Sequence, residues 1–252
     1  MIEIENVSLS YRDVPILRGI NLSLPKGGIT ALVGPNGAGK SSLLSLIARL
    51  QPLQTGRITI DGLPVDKTPS RQLAQRLAIL RQDGAVASRL TVRELVNFGR
   101  FPHHQGRPGN EDLRLVEAAL MQFELQALSD RFIDTLSGGQ RQRAMVAMTF
   151  CQGTDYVLLD EPLNNLDMFH ARQLMRSLRA IADEPKRTAI IVLHDINQAA
   201  AHADRIVAMR DGGIIADGTP EAVLTEDNLE AIFGYRMQIA QLAGKPLVLH
   251  HL

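Results

Sequence analysis

The residues Gly34-Pro35-Asn36-Gly37-Ala38-Gly39-Lys40-Ser41 have the composition and spacing of a phosphate-binding loop. Glycines let the backbone curl so that successive N–H groups turn toward anionic oxygens. A helix beginning behind them would add its positive end. Lys40 brings a mobile charge suited to β- and γ-phosphates, and Ser41 a hydroxyl suited to Mg2+. A second group lies at Tyr156-Val157-Leu158-Leu159-Asp160-Glu161-Pro162, an apolar run ending in two acids. Asp160, at a strand end beside the phosphate loop, would hold Mg2+ through water. Glu161 would polarise an attacking water as general base. Alone, the same pair also reads as a solvated turn before proline. A third group is Leu136-Ser137-Gly138-Gly139-Gln140, followed by Arg141-Gln142-Arg143. Ser and Gly at a helix start expose backbone donors to an anion, although on its physics alone this segment reads as a plain helix N-cap.

Elements must hold these groups in place. Ile2, Ile4, Val7 and Leu9 alternate with polar residues, as in a half-buried strand. A second strand is expected over 17–24, closed by the turn Pro25-Lys26-Gly27-Gly28. Ile29 to Val33 reads as a buried strand, residues 41–50 as a helix, and 56–62 as a strand between two glycines. From Thr91 to Leu128 apolar residues recur at helical spacing, with a Pro/Gly/His-rich loop over 101–109. Further buried strands are expected at 156–159, 189–193 and 206–209, with helices between them, and a short strand pair at 237–242 and 246–249. Continuous apolar strands alternating with helices imply a parallel sheet covered on both faces, with the helical middle inserted into it.

Composition narrows the class. The chain has 252 residues, enough to bury a large core without a metal or disulfide staple. Lys+Arg and Asp+Glu are 27 each, so the formal net charge is zero. That balance argues against a dedicated nucleic-acid binder and against a strong pull toward anionic lipid. The single cysteine, Cys151, follows an apolar stretch and reads as a core residue; it fits a reducing compartment. The acidic, alternating N-terminus is not a signal peptide. His103 and His104 are adjacent and point apart, so they are not expected to share a metal, and His250 and His251 end the chain.

Taken together, these motifs make the sequence resemble the ATP-binding cassette (ABC) ATPases over nearly its whole length, the pentapeptide 136–140 matching that family's signature motif. The resemblance implies an α/β P-loop NTPase with a mostly parallel central sheet, an N-terminal antiparallel β subdomain and an inserted α-helical subdomain. It implies a single domain over 1–252, in which about 1–82 and 156–252 form the catalytic core with the β subdomain and about 83–155 the helical signature subdomain. It implies ATP and Mg2+ as ligands. The nucleotide contacts would be Tyr11, stacked on adenine, with Gly34, Pro35, Asn36, Gly37, Ala38, Gly39, Lys40, Ser41 and Ser42. Ser137, Gly138, Gly139 and Gln140 would contact the ATP held by a second copy, across an interface that Asp167 also crosses. Catalysis would fall to Glu161, His194 and Gln82, with Ser41, Gln82 and Asp160 around the metal. The family more often has Ser-Ala where this chain has Asn164 and Asn165.

The implied working form is two copies closed head to tail around two ATP molecules. The chain lacks the long coiled coil, second cassette or membrane helices of other branches of the superfamily. Leu90 to Val96, Gly99 to His103, His194 to Ala200 and Pro162 to Met168 resemble importer ATPases for iron chelates and vitamin B12, the last run the ferric-siderophore branch. The expected partners are therefore permease subunits and, indirectly, a periplasmic or surface substrate-binding protein, with the chain peripheral on the cytoplasmic face of the membrane. A cytosolic iron–sulfur assembly ATPase is the alternative. The permease groove is expected over about 82–101, with Arg81, Leu90, Arg93, Arg100 and Phe101 contributing.

Overall fold

Six apolar or small residues, Gly-Ile-Thr-Ala-Leu-Val, form the strand from which the phosphate loop departs, and all but the first are buried. The computed structural model describes residues 1–82, 89–185 and 187–250. The first stretch of chain holds β1 (Ile2–Tyr11), β2 (Val14–Leu24), β3 (Gly28–Val33), α1 (Lys40–Ile47), β4 (Arg57–Ile60) and β5 (Leu63–Pro64). The middle holds α2 (Ser70–Ala74), β6 (Leu77–Leu80), α3 (Val92–Phe98), α4 (Phe101–His104), α5 (Asn110–Gln122), α6 (Gly138–Cys151), β7 (Tyr156–Asp160) and α7 (Met168–Ala182). The last holds β8 (Thr188–Val192), α8 (Ile196–His202), β9 (Arg205–Arg210), β10 (Gly213–Gly218), α9 (Pro220–Val223), α10 (Glu226–Phe233), β11 (Gln238–Leu242) and β12 (Lys245–Leu249).

Contacts divide the chain into two compact units, Met1–Thr68 with Thr188–Leu252, and Pro69–Arg187. In the first unit β1 pairs antiparallel with β2 and β4, and β4 with β5. This is the N-terminal antiparallel sheet, and its alternating buried residues are those of the period-2 pattern. In the same unit β3 runs parallel between β8 and β9, and β10 closes antiparallel on β9. All five residues of β8 are buried, as expected of a parallel strand covered on both faces. The β11–β12 hairpin turns through Ala243 and Gly244, both at positive φ, and seats on α8. There Asn197 Nδ2 donates to the Val248 carbonyl at 3.1 Å, and Asn197 Oδ1 accepts from the Val248 N–H at 2.8 Å.

In the second unit β6 and β7 pair parallel. The apolar pattern does not single out β6, since four residues are too few to show a period. The segment expected as a loop over 101–109 begins instead with a helical turn, α4, because Pro102 sits in its first turn, where a missing N–H is harmless. Arg100 is a larger correction. It is buried rather than lining a groove: its Nε donates to Asp112 at 3.0 Å and its Nη1 to the Cys151 and Gln152 carbonyls at 3.2 and 3.0 Å. The Gly109 N–H and this guanidinium hold the Asp112 carboxyl below the usual carboxylate range. Cys151 is in the core as expected, and burial pushes its thiol up to about 11.

Arg100 therefore joins α3, α5 and the end of α6 through one side chain. We expect Arg100→Leu to lower unfolding free energy by about 3 kcal/mol in a denaturant titration, since it removes a buried guanidinium and strands a partly buried carboxylate. Adding Asp112→Leu should cost less than the sum of the single changes. Strict additivity would show that the pair is not coupled.

Candidate functional site

The phosphate-loop residues lie in the first unit. β3 ends at Val33, and the chain turns at once through Gly34, whose φ is +140°. A Cβ there would lie 2.0 Å from the Met209 carbonyl oxygen of β9, so only glycine fits. Gly39 precedes α1 in the left-handed region at φ +99° and gives it no side-chain cap. The first turn of α1 also carries no acidic residue. A helix start without a competing carboxylate is an anion site. Lys40, the first residue of α1, is buried, and its Nζ donates to the carbonyls of Gly34 and Pro35 at 2.8 and 2.9 Å.

His194 belongs to the same unit. It follows β8, and the Leu193 N–H donates to the Leu32 carbonyl at 3.1 Å, which fixes the carboxyl ends of β8 and β3 together. That end of a parallel sheet is where such folds bind ligands. His194 is exposed, and Asp195 caps α8 behind it. Tyr11 closes β1, the residue 45% exposed, and its hydroxyl donates to Gln51 Oε1 at 2.6 Å. A tyrosine held at its hydroxyl with an open ring face can stack a base.

The acid pair lies in the second unit. Every residue of β7 is buried, and Asp160 and Glu161 at its end are buried too. Glu161 has φ +51°, a left-handed conformation of the kind that costs about 1–3 kcal/mol in a non-glycine residue and clusters at functional sites. Its Oε2 accepts from Gln82 Nε2 at 2.7 Å and from Asn164 Nδ2 at 2.6 Å. Gln82 and Glu161, two residues singled out from the sequence, are thus in direct contact. Residues 83–88, within the expected groove, lie outside the described residues.

The signature segment opens α6. Ser137 Oγ accepts from the Gln140 N–H at 3.3 Å, and Gln140 Oε1 accepts from the Ser137 N–H at 3.1 Å: a reciprocal capping box. The N-cap reading is met by this box. These residues line a cavity of about 330 Å³ together with Arg143, Asn165, Asp167 and His170. Asp167 caps α7: its carboxylate accepts from the His170 N–H at 2.8 Å and His170 Nδ1 at 2.9 Å, and these bonds hold it below the usual carboxylate range. The contact of Asn164 with Glu161 was not legible from residue types. Its signal is spacing, an amide three residues after the acid in a proline-containing turn.

Residues 17–164 match the family model described as ABC transporter. The chain is 46% identical over 99% of its length to the petrobactin import ATP-binding protein FatE of Bacillus anthracis, all of which is covered. It is 38% identical to the ferric enterobactin transport ATP-binding protein FepC of Escherichia coli, over 97% of this chain and 92% of that one. Among solved structures, an ATP-binding cassette in a dimeric post-hydrolysis state with ADP and phosphate superposes with TM-score 0.79 at 26% identity. That match covers 87% of this chain and 98% of the other.

Gly34→Ala should abolish ATP binding, read by nucleotide fluorescence or calorimetry, and lower the unfolding free energy by about 2 kcal/mol or more. Wild-type affinity would mean that the loop does not use the Gly34 turn.

Proposed function

The chain belongs to the ABC transporter family of ATP-binding proteins, and on that premise we propose that it hydrolyses ATP to drive uptake of an iron–siderophore complex through a membrane permease. The observation that carries the reading is the presence of two different glycine-bearing helix starts. One follows a lysine-bearing loop at 34–41; the other lies at Ser137–Gly139 in a cavity lined from residues 137–170. The relatives' import of petrobactin and enterobactin supports siderophore transport over iron–sulfur assembly, which gains no support from them.

In this reading Lys40 and the backbone donors of 34–42 hold the phosphates, Tyr11 stacks the adenine, and His194 reaches the γ-phosphate. Glu161 takes the proton of the attacking water as it adds to the γ-phosphorus, and ADP leaves. Gln82 orients both the carboxylate and the water. Ser41 and the buried Asp160 each carry a hard oxygen of the kind Mg2+ takes. Mg2+, when bound, neutralises charge on the β- and γ-phosphate oxygens.

Two copies would meet head to tail, with residues Ser137 to Gln140 of each facing the nucleotide of the other and Asp167 crossing between them. Dimeric cassettes among solved relatives support this. Closure follows from differential affinity, since the γ-phosphate contacts both copies only in the closed state. No helix among the described residues is long and apolar enough to cross a membrane, so a permease supplies the attachment at the cytoplasmic face. Its substrate-binding protein acts on the far side. The docking residues are Arg81, Leu90, Arg93 and Phe101, of which Phe101 is half exposed; Arg100 is withdrawn because it is buried.

Glu161→Gln should keep ATP binding and lose hydrolysis by ~10²–10⁴-fold in a phosphate-release assay. Turnover at the wild-type rate would refute the role of Glu161. Phe101→Ala should leave the ATPase rate of the isolated chain unchanged while transport in reconstituted vesicles falls about tenfold, the loss typical of an interface anchor. Unchanged transport would remove Phe101 from the docking surface.

A further inference from the structure

We propose that Asn164 is a positioning residue that holds the carboxylate of Glu161 in its working orientation. The inference rests on the reading of Glu161 as the general base. Two amides, from Gln82 and Asn164, converge on the same oxygen, Oε2, at 2.7 and 2.6 Å. Two donors on one carboxylate oxygen fix the plane of the group, and with it the direction from which a proton is received. N–H donors to a charged acceptor are the stronger class of hydrogen bond.

The backbone makes this placement local. The Asn164 N–H donates to the Glu161 carbonyl at 3.2 Å, so one turn carries both residues. Glu161 stands in a left-handed conformation at its start, and Asn165, left-handed at φ +63°, follows Asn164. The turn is anchored from α6, where Gln142 Nε2 donates to the Pro162 carbonyl at 3.1 Å. Serine at 164 would end one bond short of the amide nitrogen, so the reach to Oε2 depends on asparagine.

The same turn touches the signature motif of its own chain. A Cβ on Gly138 would lie 3.5 Å from Asn165 Cβ, and one on Gly139 would lie 3.1 Å from Leu166 Cδ2. The donor that orients the base is therefore one residue from the loop packed against the signature glycines. In the closed dimer this links the base of one nucleotide to the glycines that serve the other.

The test uses the full-length chain with Mg-ATP and separates kcat from KM. Asn164→Asp keeps the shape and replaces the donor with an acceptor. It should lower kcat about tenfold or more, with KM for ATP within about twofold of wild type. Asn164→Ser covers the case in which the Asp variant fails to fold, and it should fall between the two. In a Glu161→Gln background, Asn164→Ala should change the residual rate by less than about twofold, because the group it orients is gone. The proposal is overturned if Asn164→Asp and Asn164→Ser turn over like wild type while Glu161→Gln is inactive. A loss that appears in KM alone, or that persists in full in the Glu161→Gln background, overturns it too. A fully active Glu161→Gln would instead remove the underlying reading of Glu161 and the proposal with it.

Discussion

A phosphate chain is bound well only by donors that are already in place, and here that requirement falls on the carboxyl end of β3. The strand is held on both sides by parallel neighbours, β8 and β9. The loop it releases passes so close to β9 that a single methyl group at Gly34 would collide with the Met209 carbonyl. The register that buries β3 is thus the register that aims the loop. The Leu193–Leu32 hydrogen bond extends the same alignment to His194. Preorganisation of this kind keeps donors directed at developing charge without reorganisation during the reaction.

The second unit concentrates its chemistry in one short turn. β7 delivers Asp160 and Glu161 from a fully buried strand, and residues 161–167 then bend back through two left-handed residues. Asn164 reaches Glu161, Asn165 and Leu166 pack on Gly138 and Gly139, and Asp167 caps α7 with help from His170. Glu161, the residues beside Gly138 and Gly139, and Asp167 therefore lie along one short piece of backbone. A strained conformation at Glu161 persists because every flank of the turn is anchored.

Much of this was legible in the sequence. The loop 34–41, the acid pair after an apolar strand and the pentapeptide 136–140 stand out because their chemistry depends on residue type at short spacing. The buried strands β3, β7, β8 and β9 stand out as continuous apolar runs. What stayed hidden depends on tertiary neighbours. Arg100 looks like a surface arginine until Asp112 and two carbonyls at the end of α6 surround it. The turn α4 looks like a loop because Pro and His are poor helix formers, yet the first turn of a helix tolerates proline. Asn164 is polar and ordinary in sequence, and only backbone geometry at Glu161 and Asn165 gives its amide a target.

The central claim is that each chain carries two half-sites and that a working site takes one half from each of two copies. Mixing two inactive chains tests it directly. Lys40→Ala removes the phosphate lysine, and Ser137→Arg blocks the signature cavity. In a head-to-tail dimer of the two, one nucleotide site meets both defects and the other meets neither. Equimolar mixing should restore ATP hydrolysis to about a quarter of the wild-type rate, since half of the dimers are mixed and each has one intact site. A mixture no more active than the sum of its two components would contradict the account.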